Sequence, residues 1–211
     1  MKPAIDYTLY LVTDRELMTT SSIGAAVESA ILGGCTLVQL REKTASSREF
    51  LEYAAQVKTV ADRYGVPLII NDRADIALAV DAAGVHVGQS DLPVPVVRAL
   101  LGPDKIVGAS ASTFAEAAEA VEQGADYLGV GAMHATNTKS EAEITSMDEL
   151  RRIRSAFSLP IVTIGGMNSE TIPLYRAVGI DGVAVVSAIL AQRDIEQAAR
   201  EALEAFTSAR P

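Results

Sequence analysis

Arg41, Lys43 and Lys139 are fixed cations and Asp72 and Asp91 are oxygen donors, and each stands shortly after a short apolar run. Such a set suits the handling of anions. A guanidinium forks two phosphate oxygens, and an ammonium acts as a point charge. Two aspartates from neighbouring units could share one hard cation such as Mg2+, with waters and substrate phosphates completing its shell. Capping of a helix or turn is the plainer role for each aspartate, and solvated surface charge is the plainer role for each cation. That plainer role suits Arg41 least. In Val38-Gln39-Leu40-Arg41, the period-two alternation of a strand sends Val38 and Leu40 to one face and Gln39 and Arg41 to the other. Lys43 joins the second face if the strand persists. An amide and cations turned inward are costly without a partner. This face therefore ends at a solvent-filled mouth or meets an anionic ligand.

Gly165-Gly166 and Ser187 suit a second phosphate site. Backbone N–H groups approach an anion closely where side chains are absent, and a helix N-terminus adds partial positive charge. A tight turn capped by Asn168 or Ser169 fits the same glycines. His86, within Gly84-Val85-His86-Val87-Gly88, alternates to the interior and reads first as a satisfied buried imidazole. His134, in a loop, is the better-placed candidate acid or base. Cys35 is the only cysteine, so no internal disulfide forms and a buried thiol is its simplest role. No Ser/His/Asp triad and no Cys/His metal pattern stands in the sequence. Asp75 and Asp81 fit a helix face or turn, with Arg73 as a salt-bridge partner, and Met133 and Met147 read as packing residues.

The elements that must position these groups follow from eight strand-like runs, at 9–13, 37–41, 68–70, 85–88, 106–109, 127–131, 161–164 and 183–186. Helical patterns separate them. Ser46 or Ser47 starts one, and Thr113 with Glu116 gives a capping-box pattern. Ser146 with Glu149 starts another, and the last runs roughly from 194 to 206. Near-continuous apolar strands suit a parallel sheet covered by helices. Eight βα units in this length predict a single α/β domain over 1–211, a (β/α)8 TIM barrel, whose active site lies at the C-terminal ends of the strands. A doubly wound open sheet is the alternative. The first βα turn lacks G-x-G-x-x-G, which argues against a dinucleotide site.

The 211 residues are 49% hydrophobic and 21% charged, with a net charge of −9. That balance argues against general nucleic-acid binding, which draws its affinity from basic surface. It leaves room for small phosphorylated molecules, because a cleft can be positive on an acidic protein. No apolar run approaches the ~20 residues of a membrane span, and the N-terminus shows no signal-peptide core. A cytoplasmic protein is expected. The sequence leaves homo-oligomer formation open.

Across nearly the whole chain run Tyr10-Leu11-Val12-Thr13-Asp14, Gln39-Leu40-Arg41-Glu42-Lys43, Ile70-Asn71-Asp72-Arg73, Gly84-Val85-His86-Val87-Gly88-Gln89-Ser90-Asp91, Thr136-Asn137-Thr138-Lys139 and Ile164-Gly165-Gly166-Met167-Asn168. In that order they resemble the thiamine-phosphate synthase (thiamine-phosphate pyrophosphorylase) family. The resemblance implies a transferase that joins hydroxymethylpyrimidine diphosphate to a thiazole phosphate, or its carboxy form, and releases pyrophosphate. It implies that Gln39, Leu40, Arg41, Glu42, Lys43, Asn71, Ser110 and Lys139 bind the pyrimidine diphosphate. Thr136, Asn137, Thr138, Gly166, Val186 and Ser187 would bind the thiazole phosphate, and Asp72 and Asp91 one Mg2+. Arg41, Lys43 and Lys139 would serve catalysis by stabilising the leaving group. One stretch departs from the family: Gly131-Ala132-Met133-His134-Ala135-Thr136 replaces a run like Gly-Pro-Ile-Phe-Pro-Thr. Two rivals stand beside this reading. A related thiazole tautomerase would use His134 for proton transfer but needs no diphosphate site. A non-catalytic thiamine-precursor binding protein would need no leaving-group cradle.

Overall fold

The computed structural model describes residues 1–135 and 144–208. Eight short strands form one closed barrel in chain order: β1 Leu9–Val12, β2 Leu37–Leu40, β3 Leu68–Asn71, β4 Gly84–Val87, β5 Ile106–Ala111, β6 Tyr127–Val130, β7 Ile161–Ile164 and β8 Gly182–Val185. Every pair is parallel, and β8 closes on β1 through Leu9 beside Val183. Closure excludes the open-sheet alternative. The helices between and after the strands are α1 Ile23–Leu32, α2 Ser47–Tyr64, α3 Ala74–Ala79, α4 Val94–Leu101, α5 Phe114–Glu122, α6 Met147–Ala156, α7 Ile172–Arg176, α8 Ser187–Leu190 and α9 Ile195–Thr207. This is a (β/α)8 barrel, as the eight apolar runs predict. None of the described helices is long and apolar enough to cross a membrane.

Alternation along the strands sorts the core into two layers. Leu9, Leu11, Val38 and Leu40 face the helices within the larger apolar cluster. Tyr10, Val12 and Leu37 point into the barrel, where they meet Ile69, Ile106, Tyr127 and Val162. Cys35 is buried in the outer layer, and burial pushes its thiol pKa up. It is a packing residue.

The helix starts follow the sequence signals, with two differences of detail. Ser46 caps α2 in a full capping box, its hydroxyl accepting from Glu49 N and the Glu49 carboxylate accepting from Ser46 N at 2.8 Å. Such a cap contributes about 1 kcal/mol. Thr113 and Ser146 cap α5 and α6, but their partner glutamates turn elsewhere. Glu116 accepts from Ser112 N, and Glu149 accepts from Phe114 N on the neighbouring unit, both at 2.6 Å. Each carboxylate ties down the loop after β5, the loop that follows Ser110. The short helix α8, too brief to show periodicity, is not evident in the sequence.

Candidate active site

The strand C-termini open into a cavity of ≈ 280 Å³. Its floor is the upper layer of the barrel interior, with Tyr10, Val12, Val162 and Ala184 among the lining residues. Polar groups converge on it from the strand ends.

From β2, Gln39 and Arg41 line the cavity. The strand ends at Leu40, but Arg41 N donates to the buried Thr13 hydroxyl at 3.0 Å, and the inward alternation continues one residue beyond the ladder. The Arg41 guanidinium has no carboxylate partner among the described residues. Lys43 bends back over the mouth, and its ammonium donates to Asp72 Oδ2 at 2.8 Å. The two remaining members of the motif are directed elsewhere. Leu40 sits fully buried in the helix-facing layer, where alternation places it with Val38. Glu42 accepts from Arg15 Nε at 2.8 Å, beneath an Arg15 guanidinium that lies 4.2 Å from the centre of the Tyr53 ring. Burial raises the Glu42 pKa, and the Arg15 contact opposes that rise. Neither side chain lines the cavity; Glu42 braces the turn that carries Lys43.

From β3 come Asn71 and Asp72. Asn71 is buried, lines the cavity, and its Nδ2 has no hydrogen-bond partner among the described residues. A buried amide donor left open is costly unless a ligand completes it. Asp72 adopts φ 63°, a left-handed conformation that Asp tolerates better than most residues. Its N–H donates to His86 O at 2.8 Å. Asp91 reaches the same place from the loop after β4, accepting from Gly88 N at 2.8 Å. Its pKa is raised, first by burial and then by the Asp72 carboxylate beside it. Asp91 and Asp72 thus form an oxygen-only donor pair. Among the described residues no group of three or more metal-ligating side chains assembles, so waters and substrate oxygens would fill most of a cation's shell. Mg2+ accepts that arrangement. The residues present therefore fit the ion.

From β5, Ser110 lies within the strand rather than after it and lines the cavity. Gln89 braces it by donating to Ser110 O at 2.8 Å. Across the mouth, Gly165 and Gly166 take φ 96° and 66°. A Cβ on Gly166 would stand 2.6 Å from the His134 Cβ, so the glycine lets the loops after β6 and β7 pack together. Val186 and Ser187 line the same side, and α8 begins at Ser187 with no side-chain cap on its N-terminus. Thr136, Asn137, Thr138 and Lys139 lie outside the described residues.

His134 does not line the cavity. Its Nε2 is 2.7 Å from the Tyr175 hydroxyl, and the two rings meet edge-on. Asp75 pairs with Arg73 through two contacts of 2.6 and 2.8 Å, and Asp81 pairs with Lys105, so neither belongs to the site. Met133 is buried in the core and Met147 packs against it. Sequence reasoning met Tyr10, Thr13 and Gln89 only inside longer motifs and gave them no role, and it did not single out Tyr127. Alternation within Leu9-Tyr10-Leu11 was the available signal for Tyr10, because it sets a phenol opposite two leucines.

A (β/α)8 barrel with two phosphate-suited sides and a carboxylate pair at its mouth defines an enzyme that works on small phosphorylated molecules. The thiamine monophosphate synthase family model matches residues 9–189. The chain is 58% identical to the thiamine-phosphate synthase of Clostridium beijerinckii over 98% of this chain and 99% of the other. It is also 58% identical to that of Ruminiclostridium cellulolyticum, over 99% of each. The solved thiamine phosphate pyrophosphorylase of Pyrococcus furiosus superposes with a TM-score of 0.88 at 35% identity, covering 95% of this chain and 96% of that one. The chain belongs to the thiamine monophosphate synthase family and is a transferase.

Proposed function

We propose that residues 1–211 act as one catalytic domain that joins hydroxymethylpyrimidine diphosphate to thiazole phosphate, giving thiamine phosphate and pyrophosphate. The observation that carries this reading is an Arg41 guanidinium with no carboxylate partner, and an Asn71 Nδ2 with no hydrogen-bond partner, among the described residues, both beside the Lys43–Asp72–Asp91 cluster. These groups suit a bound diphosphate and leave little for a general base to do.

In this reading the pyrimidine ring enters beside Gln39, Asn71 and Ser110. Its diphosphate lies toward Arg41, Lys43 and Lys139. Thiazole phosphate binds against Gly166, Val186, Ser187 and the 136–138 segment. Asp72 and Asp91 would hold one Mg2+, which would offset negative charge on the leaving diphosphate. Among the described lining residues, three carboxylates (Asp72, Asp91 and Glu116) face two fixed cations (Arg41 and Lys43). A divalent ion reverses that balance in favour of an anion. The methylene C–O bond breaks, the departing pyrophosphate takes the electron pair, and Arg41 and the lysines stabilise its charge. The aminopyrimidine delocalises the resulting methylene cation, and the thiazole nitrogen then forms the new C–N bond. Val12, Val162 and Ala184 line the cavity and limit the access of water to the cation. The tautomerase reading has less support, because His134 does not line the cavity and its Nε2 lies 2.7 Å from the Tyr175 hydroxyl. A cytoplasmic setting fits such small phosphorylated substrates.

Calorimetry with the pyrimidine diphosphate, with and without Mg2+, tests the site assignment. Binding should tighten at least tenfold with Mg2+, and Asp72→Asn with Asp91→Asn should abolish the difference. Equal affinity with and without the ion would refute the assignment.

A further inference from the structure

Beneath the cavity a single line of polar side chains crosses the barrel interior. Gln39 Nε2 donates to the Tyr10 hydroxyl at 2.7 Å. The Tyr10 and Tyr127 hydroxyls are 2.8 Å apart. Tyr127 OH is 2.9 Å from His86 Nδ1, and His86 Nε2 is 3.0 Å from Ser110 Oγ. The line starts and ends on residues that face the cavity, while both phenols are almost wholly buried.

With the Gln39 amide nitrogen as donor, one direction follows for the whole line. A phenol has one proton. With Gln39 donating to its oxygen, Tyr10 satisfies its own proton by donating to Tyr127. Tyr127 then donates to His86 Nδ1. In that direction His86 Nδ1 accepts, and Nε2 carries the proton donated to Ser110 Oγ. The Ser110 proton is left to point into the cavity, and the Gln39 amide oxygen stands as an acceptor at the other end.

The backbone makes room for this line. A Cβ on Gly108 would lie 2.2 Å from the Tyr127 ring and 2.6 Å from its hydroxyl, and a Cβ on Gly129 would lie 3.0 Å from His86 Cε1. The gap at Gly108 admits the aromatic ring at position 127, and the gap at Gly129 admits the His86 imidazole.

We propose that Tyr10, Tyr127 and His86 are positioning residues that act as one directed hydrogen-bond relay. The relay couples Gln39 to Ser110, so that a nitrogen heterocycle meets an acceptor at one wall and a hydroxyl donor at the other. This rests on the proposed function, which seats the pyrimidine there.

Ring 15N NMR and steady-state kinetics test it together. In untagged protein carrying His134→Gln, His86 is the only histidine. Its signals should show a bare Nδ1 and a protonated Nε2. Tyr127→Phe should lose that fixed tautomer. It should also lower kcat/KM for the pyrimidine diphosphate about tenfold, through KM, or about 1.4 kcal/mol. KM for thiazole phosphate should stay within about twofold. Tyr10→Phe breaks the line one link further from His86 and should give the same split, so the result does not depend on one variant folding. A protonated Nδ1 in the parent would overturn the relay. So would a Tyr127→Phe protein with parental tautomer and KM, or one that weakens both substrates equally. A parent that couples no substrates contradicts the proposed function instead. The ring signals need no substrate and are read separately.

Discussion

The Lys43 ammonium donates to Asp72 Oδ2 at 2.8 Å, linking the turn after β2 to the end of β3. A protein cation thus occupies a carboxylate that the proposed Mg2+ also needs. Lys43→Met removes the competitor. Without substrate, the variant should bind Mg2+ at least as tightly as the parent in calorimetry. Its KM for the pyrimidine diphosphate should rise about tenfold, as expected for a lost charge-assisted contact. Weaker Mg2+ binding together with an unchanged KM would contradict this exchange of partners.

Arg41 lines the cavity with no carboxylate partner among the described residues. Arg41→Ala should slow coupling by roughly a hundredfold or more, on the scale of a lost transition-state donor. Thiazole phosphate affinity, followed by calorimetry, should change by less than about threefold. Comparable losses in both would count against its place beside the leaving group.

Asn71 illustrates a conflict between stability and ligand binding. Its buried Nδ2 has no partner among the described residues, and a buried donor left open costs stability. Asn71→Leu has similar volume and removes it. Thermal unfolding should show the variant no less stable than the parent, and up to about 1 kcal/mol more stable. Its affinity for the pyrimidine diphosphate should fall. A variant destabilised by several kcal/mol would assign Asn71 a purely structural role.

Arg15 and Glu42 give a pH test away from the carboxylate pair. Burial raises the Glu42 pKa, and Arg15 holds that rise in check. A group with a raised folded pKa contributes stability below its unfolded value, about 4.3 for Glu, and loses it as pH rises through the folded value. Arg15→Ala should raise the folded value further. The variant's deficit should therefore be small near pH 4 and grow toward pH 7, reaching about 1–3 kcal/mol. Denaturant unfolding at both pH values measures it. A deficit independent of pH would leave the stacking of Arg15 on Tyr53 as its source.

The sequence carried the barrel and directed several polar groups to the cavity, Gln39, Arg41, Asn71 and Asp72 among them. Period-two alternation placed Gln39 inward and Leu40 outward, and all eight apolar runs became strands within one or two residues of their expected ends. It did not carry what depends on contacts between distant units. A contiguous motif draws Leu40 and Glu42 into the substrate set, yet one faces the helices and the other is held by Arg15. His134 looked placed for proton transfer because it sits in a loop at the right end of the barrel. Its engagement by Tyr175, 41 residues away, has no local signature. The Tyr10–Tyr127 contact spans 117 residues, and only barrel closure makes it visible.

Purified protein given both substrates and Mg2+ should produce thiamine phosphate and pyrophosphate in equal amounts, and chelating the Mg2+ should stop both. Binding of both substrates with no turnover, or isomerisation of the thiazole without coupling, would contradict the proposed function.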